Sequence, residues 1–362
     1  MFEGLRPFTV GLEEEVMLLE PGSLELLERG PELLERLPAD GRFKLEMPAS
    51  QLELMTASHD AVPAAIADLA KARGALLDAV DGLARPAASG VHPFSAAEGA
   101  LNPGPRYQHT ASEYGPAARR QLVCALQVHV AVGSAERTLS VYNALREQLP
   151  LLAALAANAP VYEGRDTGLA SVRPQIAGLL PRQGVPPPLD DWHELQRELR
   201  WGAVAGSVPD PGSWWWELRP HLGFGTLELR VPDAQTTVAD AEAIAAVAQA
   251  LVACLAEEES EGGAVPSWRI EENRWTACRH GVEGAFADLR SGERRAARGC
   301  LHSLIDRIEP FADRLGAAGS LDHARALVEQ NGSLKQREVA RESGAHGLAE
   351  WLARRFADGI HG

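Results

Sequence analysis

Cysteine is scarce in this chain, with four in 362 residues: Cys124, Cys254, Cys278 and Cys300. None falls in a C-x-x-C pair or a spaced Cys/His zinc pattern. The expectation is therefore reduced, mostly buried thiols rather than a disulfide framework or a structural zinc site. Lysine is scarcer still: Lys44, Lys71 and Lys335 are the only ones among 35 basic residues. Alongside so much Ala and Leu, that bias reads as genome composition. Positive charge as a whole is short, since 50 acidic against 35 basic residues leave a net charge of −15. A nucleic acid or an anionic membrane needs a basic footprint, so neither is expected as a partner, although one local pocket for a small phosphate ligand stays compatible. The opening MFEGLRPFTVGLEEE lacks the basic and apolar regions of a signal peptide. The most apolar run, residues 243–256, is a turn or two short of a membrane span and contains Gln249, so it is expected to be a buried helix. Together these features favour a cytoplasmic protein.

Repeats and low-complexity linkers are also missing. Pro/Gly-rich breaks occur at 86–90, 102–105, 184–188 and 208–212, each too short for an interdomain tether. Apolar periodicity predicts helices over 61–83 and 134–157. From 238 onward it predicts helices only: 238–258, 267–279, 294–315, 322–330, 334–342 and 347–357. Strands and helices mix before that point. The expected class is α+β, with a single catalytic domain over 1–362, mixed over 1–235 and helical over 236–362.

Four short segments carry the chemistry. In a strand, residues i and i+2 point the same way, ~7 Å apart. In 9–19, Glu13 and Glu15 share one face, opposite Leu12, Val16, Leu18 and Glu14. In 50–55, Gln51 and Glu53 oppose Leu52 and Leu54. In 126–132, Gln127 and His129 oppose four apolar residues. In 226–231, Glu228 and Arg230 oppose Leu227, Leu229 and Val231. If the apolar faces share one core, the other face of the sheet shows Glu13, Glu15, Gln51, Glu53, Gln127, His129, Glu228 and Arg230. A solvated sheet face is the plain alternative. Against it stand the glutamates, which strands disfavour, and the repulsion between like charges two residues apart. Hard divalent cations take such oxygen ligands, commonly together with substrate phosphates.

Other segments are less specific. The polar loop 162–173 holds Arg165 and Arg173, and by composition alone is equally a surface loop. Residues 214–220, WWWELRP, read as a further strand with Glu217 and Arg219 on one face; three consecutive Trp more often pack than stack. Asn273, Arg274 and Arg279 sit on a helix whose polar face needs no function.

In order along the chain, GLEEE, PASQLEL, LQVHVAVG, EGRDTGLASVR, WWWELRP, FGTLELRV and ENRWTACRHG resemble the carboxylate–amine ligase family, also called glutamate–cysteine ligase type 2. The resemblance runs from about Phe8 to Leu315. It implies a catalytic fold like that of glutamine synthetase: a curved, mainly antiparallel sheet whose polar face holds metal and ATP, with helices packed on its outer face. It also implies ATP-dependent amide-bond formation through an acyl phosphate, with small-molecule substrates, most simply L-glutamate and L-cysteine. On that analogy Glu13, Glu15, Glu53 and Glu228 would hold Mg²⁺, or Mn²⁺, around the ATP phosphates. His129 would contact phosphate, and Arg230 would stabilise the transferred phosphoryl group. Arg165, Arg173 and Arg219 would serve the amino-acid carboxylate or the phosphate, with Gln51 and Arg279 also at the nucleotide.

The sequence departs from the pattern at Gln127, where most bacterial members carry a His that would be a metal ligand. A Gln amide oxygen can coordinate Mg²⁺ weakly, so Gln127 joins the candidate ligands. Another acid or amine, or a catalytically inert relative, stays open as an alternative, and so does assembly into a homo-oligomer.

Overall fold

In the computed structural model, residues 2–208, 210–258 and 263–360 are described; Pro209, part of the 208–212 break, lies outside them. The organising element is strand β1, Val10–Leu19, buried along almost its whole length. It is long because it pairs three ways. On one side lies β3 (Gln51–Met55), which in turn pairs with β2 (Phe43–Leu45). On the other lies β5 (Leu126–Ala131), and β4 (Arg85–Ala87) joins the far end of β1. β5 pairs with β9 (Thr226–Leu229), and β9 with β8 (Leu218–His221). Every pairing is antiparallel, and the order β2-β3-β1-β5-β9-β8 makes a seven-stranded sheet with β4. Two small hairpins stand apart from it, β6 (Val161–Tyr162) with β7 (Arg165–Asp166) and β10 (Ala285–Ala287) with β11 (Arg294–Ala296).

One face of the sheet is covered by helices. The central one, Val238–Glu257, is Ala-rich and packs on β5 and on five other helices: Val62–Ala79, Ala135–Arg146, Leu149–Leu155, Ala297–Arg314 and Ala318–Glu329. Small side chains let so many neighbours approach closely. Thr237 caps its start by accepting a hydrogen bond from the Asp240 backbone N–H. The helix agrees with the 238–258 expected, and although its 20 residues would be long enough to cross a membrane, 83% of its apolar window is buried inside the protein. The buried Gln249 amide nitrogen donates to the carbonyls of Phe8 (2.7 Å) and Asp60 (3.2 Å), while its Oε1 has no partner.

The α+β class and the antiparallel sheet agree with the expectation; several boundaries do not. The part after 238 is not helical throughout, since β10 and β11 interrupt it and Arg294–Ala296 lies outside the helix expected at 294–315. The 134–157 segment is two helices, Ala135–Arg146 and Leu149–Leu155, with Pro150 in the first turn of the second, where its missing N–H costs least. The helices expected at 334–342 and 347–357 join as Gly332–Arg355, kinked at Gly344 with φ of 70°. The 86–90 break begins inside β4. Of 214–220 only Leu218 onward is strand. Helices Pro105–Tyr114 and Trp192–Val204 lie outside the segments for which the periodicity predicts helix.

The apolar side of β1 holds one charge. Glu14 is fully buried and receives a two-pronged pair from Arg73, Nε at 2.8 Å and Nη2 at 2.6 Å. Arg73 also donates to the carbonyls of Gln235, Thr236 and Phe356, and lies 4.3 Å over the Phe356 ring. One guanidinium thereby ties helix Val62–Ala79, β1, the 235–236 turn and the C-terminal region together. Removing one partner of a buried pair strands the other charge. Arg73→Met is therefore expected to lower unfolding free energy by about 3–5 kcal/mol. The double variant Glu14→Leu/Arg73→Met should recover part of that, and only part, because three carbonyls remain unpaired. Urea denaturation of the two proteins measures the difference; equal losses would show that the pair is not what Arg73 contributes.

Candidate active site

The pleat of β1 sends Glu13 and Glu15 to the face opposite Glu14. Pairing register then sets their neighbours. Glu15 lies across from Glu53 on β3, and Glu13 across from Gln127 on β5. His129 lies across from Glu228 on β9, and Glu228 across from Arg219 on β8. Lys44 on the edge strand β2 faces Glu53. The result is a polar sheet face that floors a cleft of about 580 Å³, walled by Glu46, Arg106, Tyr107, Arg173, Trp215, Glu217, Arg274 and Trp275.

Two carboxylate groups form on this floor. Glu13, His129 and Glu228 bring one ligand atom each within 4.8 Å of one another, and so do Glu15, Glu46 and Glu53. Among the described residues, three cations make ion contacts with three of these five carboxylates: Lys44 with Glu53 (2.6 Å) and Glu13 (3.8 Å), and Arg219 and Arg230 (2.6 Å) with Glu228. The two groups differ in charge balance. Burial alone would raise the Glu228 carboxyl, but the charges of Arg230 and Arg219 outweigh it and hold Glu228 below the usual carboxylate range. In the second group burial wins. It pushes Glu15 up to about 7, helped by the charge of Glu46, and raises Glu46 as well. Burial lowers His129, with the glutamates opposing it.

His129 Nδ1 shares a hydrogen bond with the Thr226 hydroxyl (3.0 Å). Its buried Nε2 has no hydrogen-bond partner and lies 3.6 Å from Glu13. An orphaned imidazole nitrogen among acceptor-only carboxylates, in a floor short of positive charge, is a donor set that divalent cations accept. The residues present therefore fit Mg²⁺ or Mn²⁺.

Gln127 is a bridge. Its amide nitrogen donates to Glu15 (2.9 Å), and its oxygen accepts from Arg230 Nη1 (2.5 Å), so the atom expected to serve a metal is engaged by an arginine. Gln51 is buried in the floor with its Nε2 unpartnered. Arg173 is buried in the wall, but its Nε is paired with Asp233 (2.7 Å) and its Nη2 donates to the carbonyls of Val231 (2.6 Å) and Arg230 (3.2 Å). It braces the turn that carries Arg230.

Two of the candidates are elsewhere. Arg165 is on the β6–β7 hairpin, 77% exposed and 3.7 Å from Glu163, outside the cleft. Arg279 is exposed and lies over Gly168. The arginine that enters the cleft from helix Ser267–His280 is Arg274, paired with Glu217 through three hydrogen bonds of 2.6–3.0 Å. The 162–173 loop docks on this helix instead, with the Ala170 and Ser171 N–H groups donating to the Cys278 carbonyl. Among the WWW residues, Trp215 lines the cleft and stacks under Arg182 at 5.2 Å. Sequence reasoning missed Glu46 and Lys44. The only signal for them was F-K-L-E, a three-residue strand and its flank, too short for periodicity to show.

Comparisons with known proteins bear on the family and the fold. A family model described as glutamate-cysteine ligase family 2 matches residues 9–351. A Rubrobacter xylanophilus protein named "Putative glutamate--cysteine ligase 2-3" is 39% identical over 360 residues, covering 96% of each chain. Another from that organism, named "Putative glutamate--cysteine ligase 2-1", is 34% identical over 344 residues, 93% of this chain and 91% of the other. The fold is similar to that of a glutamate–cysteine ligase from Francisella tularensis, described in complex with AMP. The TM-score there is 0.75 at 14% identity, covering 97% of this chain and 88% of that one. With a match that starts one residue before β1 and ends at Trp351 in the last helix, the chain belongs to glutamate–cysteine ligase family 2 and is an ATP-dependent ligase of that family.

Proposed function

We propose that the chain joins the γ-carboxyl of L-glutamate to the amine of L-cysteine, giving γ-glutamylcysteine, ADP and phosphate. The whole of 1–362 acts as one cytoplasmic catalytic domain, a reading supported by a core that runs without interruption from Val10 to Phe356. The observation that carries the reading is the pairing of a carboxylate-rich floor with arginines at one end of it. A carboxylate is a poor acyl donor and must be activated by phosphorylation, which rests on positioning and charge neutralisation rather than on covalent help from the protein. The nucleotide-bound state of the Francisella relative favours ATP in this cleft.

Glu13, Glu228 and His129 on one side, and Glu15, Glu46 and Glu53 on the other, are the residues that would hold Mg²⁺. Bound there, the cation would offset negative charge on the nucleotide phosphates. Glu228 orients Arg230 and Arg219, whose guanidinium groups face the cleft beside it. Arg230 neutralises charge that develops on the transferring phosphoryl, and Arg173 keeps its backbone in place. Arg274 with Glu217, on the far wall, leaves room for the amino-acid substrates between wall and floor.

The test is a panel of acids and amines assayed for ADP release with ATP and Mg²⁺, with mass spectrometry of the products. Glutamate with cysteine should give the fastest turnover; a faster pair of another kind replaces the substrates and keeps the chemistry, and no turnover with any pair removes the reading. Two variants check the roles. Arg230→Ala should lower kcat on the order of a hundredfold, with a smaller change in KM for ATP, because one group acting on developing charge contributes about that much. Arg165→Ala, at an exposed position, should stay within about twofold. Near-normal kcat in Arg230→Ala would leave that arginine a structural partner of Glu228. The second check is Gln127→His. Mn²⁺ tolerates nitrogen ligands better than Mg²⁺ does, so this variant should shift the metal profile of activity towards Mn²⁺ at similar overall rate. Identical Mg²⁺ and Mn²⁺ titrations for the two proteins would mean that position 127 is a bridge and not a ligand.

A further inference from the structure

The chain has three lysines against a large excess of arginine, and one of them sits directly on the glutamate floor. Lys44 is on β2, the edge strand, opposite Glu53 in the register. Its ammonium is 2.6 Å from Glu53 Oε2 and 3.8 Å from Glu13 Oε2, so it spans a member of each carboxylate group. It is the only cation in ion contact with either of them, among the described residues. Its own side chain is 45% exposed, while those of Glu53 and Glu13 are 1% and 10% exposed.

The quality of the contact matters. Despite the short distance, Glu53 Oε2 has no hydrogen-bond partner, so the ammonium is near it without donor alignment. The other ion pairs around the cleft are different. Arg230 to Glu228, Arg173 to Asp233 and Arg274 to Glu217 are all aligned hydrogen bonds from guanidiniums that are buried or, for Arg230, mostly so. An ammonium is a compact point charge on a flexible stem, whereas a guanidinium fork is fixed by its geometry. Lys44 thus has a charge match without a geometric lock, on the solvent side of the floor, at an edge with room to move.

We propose that Lys44 is an exchangeable counter-cation of the floor: its ammonium neutralises Glu13 and Glu53 until a divalent cation takes those carboxylates, and is then displaced towards the mouth of the cleft. The proposal rests on the metal reading of the two groups given above. It makes Lys44 a positioning residue that balances the charge of the two carboxylates, at the cost of competing with the metal. A loosely held, half-exposed ion contact contributes under about 1 kcal/mol, a factor of about five.

The experiment is Mn²⁺ binding without nucleotide, followed by the paramagnetic resonance signal of free Mn²⁺, on wild type, Lys44→Met and Arg42→Met. Arg42 is a cation beside the same strand that pairs with Asp40 and touches neither glutamate. Lys44→Met should bind Mn²⁺ about three- to fivefold more tightly than wild type, and Arg42→Met should match wild type. Thermal melts give a second readout: the metal-free Lys44→Met protein should melt below wild type, and saturating Mn²⁺ should close the gap. Wild-type binding with unchanged or weaker affinity in Lys44→Met overturns this proposal alone. Equal tightening in Arg42→Met overturns it in favour of a general field effect. No Mn²⁺ binding by wild type overturns the metal reading of the floor and this proposal with it.

Discussion

Three consecutive glutamates at the centre of the sheet force the rest of the molecule into place. In an extended strand they cannot share a face, so Glu13 and Glu15 point one way and Glu14 the other. A carboxylate on the core side is tolerable only with a partner of equal burial, and Arg73 supplies it with aligned hydrogen bonds on both oxygens. The remaining guanidinium donors then reach three backbone carbonyls from distant parts of the chain. On the other side the same alternation concentrates negative charge that nothing local cancels in full. A one-residue slip of β1 would exchange the two environments, placing two unpaired carboxylates in the core, so the pairing register is fixed by electrostatics as well as by apolar burial.

The ion pairs of this protein divide by whether their charges close. Arg173 with Asp233 and Arg274 with Glu217 are one-to-one and buried; Arg274 bonds both oxygens of Glu217, and Arg173 bonds Asp233 once and two backbone carbonyls through Nη2. They hold walls. On the floor the counts do not close, and the surplus is graded: Glu228 has two guanidiniums, Glu13 and Glu53 share one ammonium, and Glu15 and Glu46, with no ion pair among the described residues, are held by neutral N–H donors, Ala125 and Gln127 for Glu15 and Met47 for Glu46. Gln127 is placed between the extremes, with its donor towards Glu15 and its acceptor towards Arg230. A neutral amide can serve both neighbours at once, which neither a carboxylate nor a protonated imidazole could do. The arginine end and the glutamate end of the floor are thereby joined through one side chain.

How much of this was legible in the sequence follows from the reach of each signal. Alternation over five or more residues is hard to counterfeit, so β1, β3, β5 and β9 and the common face of Glu13, Glu15, Glu53, Gln127, His129, Glu228 and Arg230 could be read directly. Lys44 and Glu46 could not, because β2 has three residues and its only partner in the sheet is β3. Arg73 lay in an ordinary amphipathic helix, where an arginine reads as a solvated face; its burial is a tertiary fact. The arginine assignments failed in a revealing direction. Arg165 and Arg279 belong to motifs that do come together, but what joins them is packing of loop 162–173 on helix Ser267–His280 through the Cys278 carbonyl, with the long side chains left in solvent. A motif can mark a contact between elements without each of its charged residues touching the ligand.

The cleft walls complete the argument about selectivity. The floor is a set of acceptors suited to cations and, through them, to phosphate; it has no feature that would choose one amino acid over another. Choice must come from the opposite side, where Glu217 and Arg274 form a closed pair near Trp275, Leu179 and Trp215. A substrate carboxylate or ammonium that entered there would compete with an existing buried partner, and breaking that pair is expensive. Discrimination at such a wall works through shape and through unsatisfied hydrogen bonds rather than through free charge. On the function proposed above, the division of labour is spatial: the reaction class would be set on the sheet, by the residues a pleat aligns, and the choice of substrate on the helices and loops that face it.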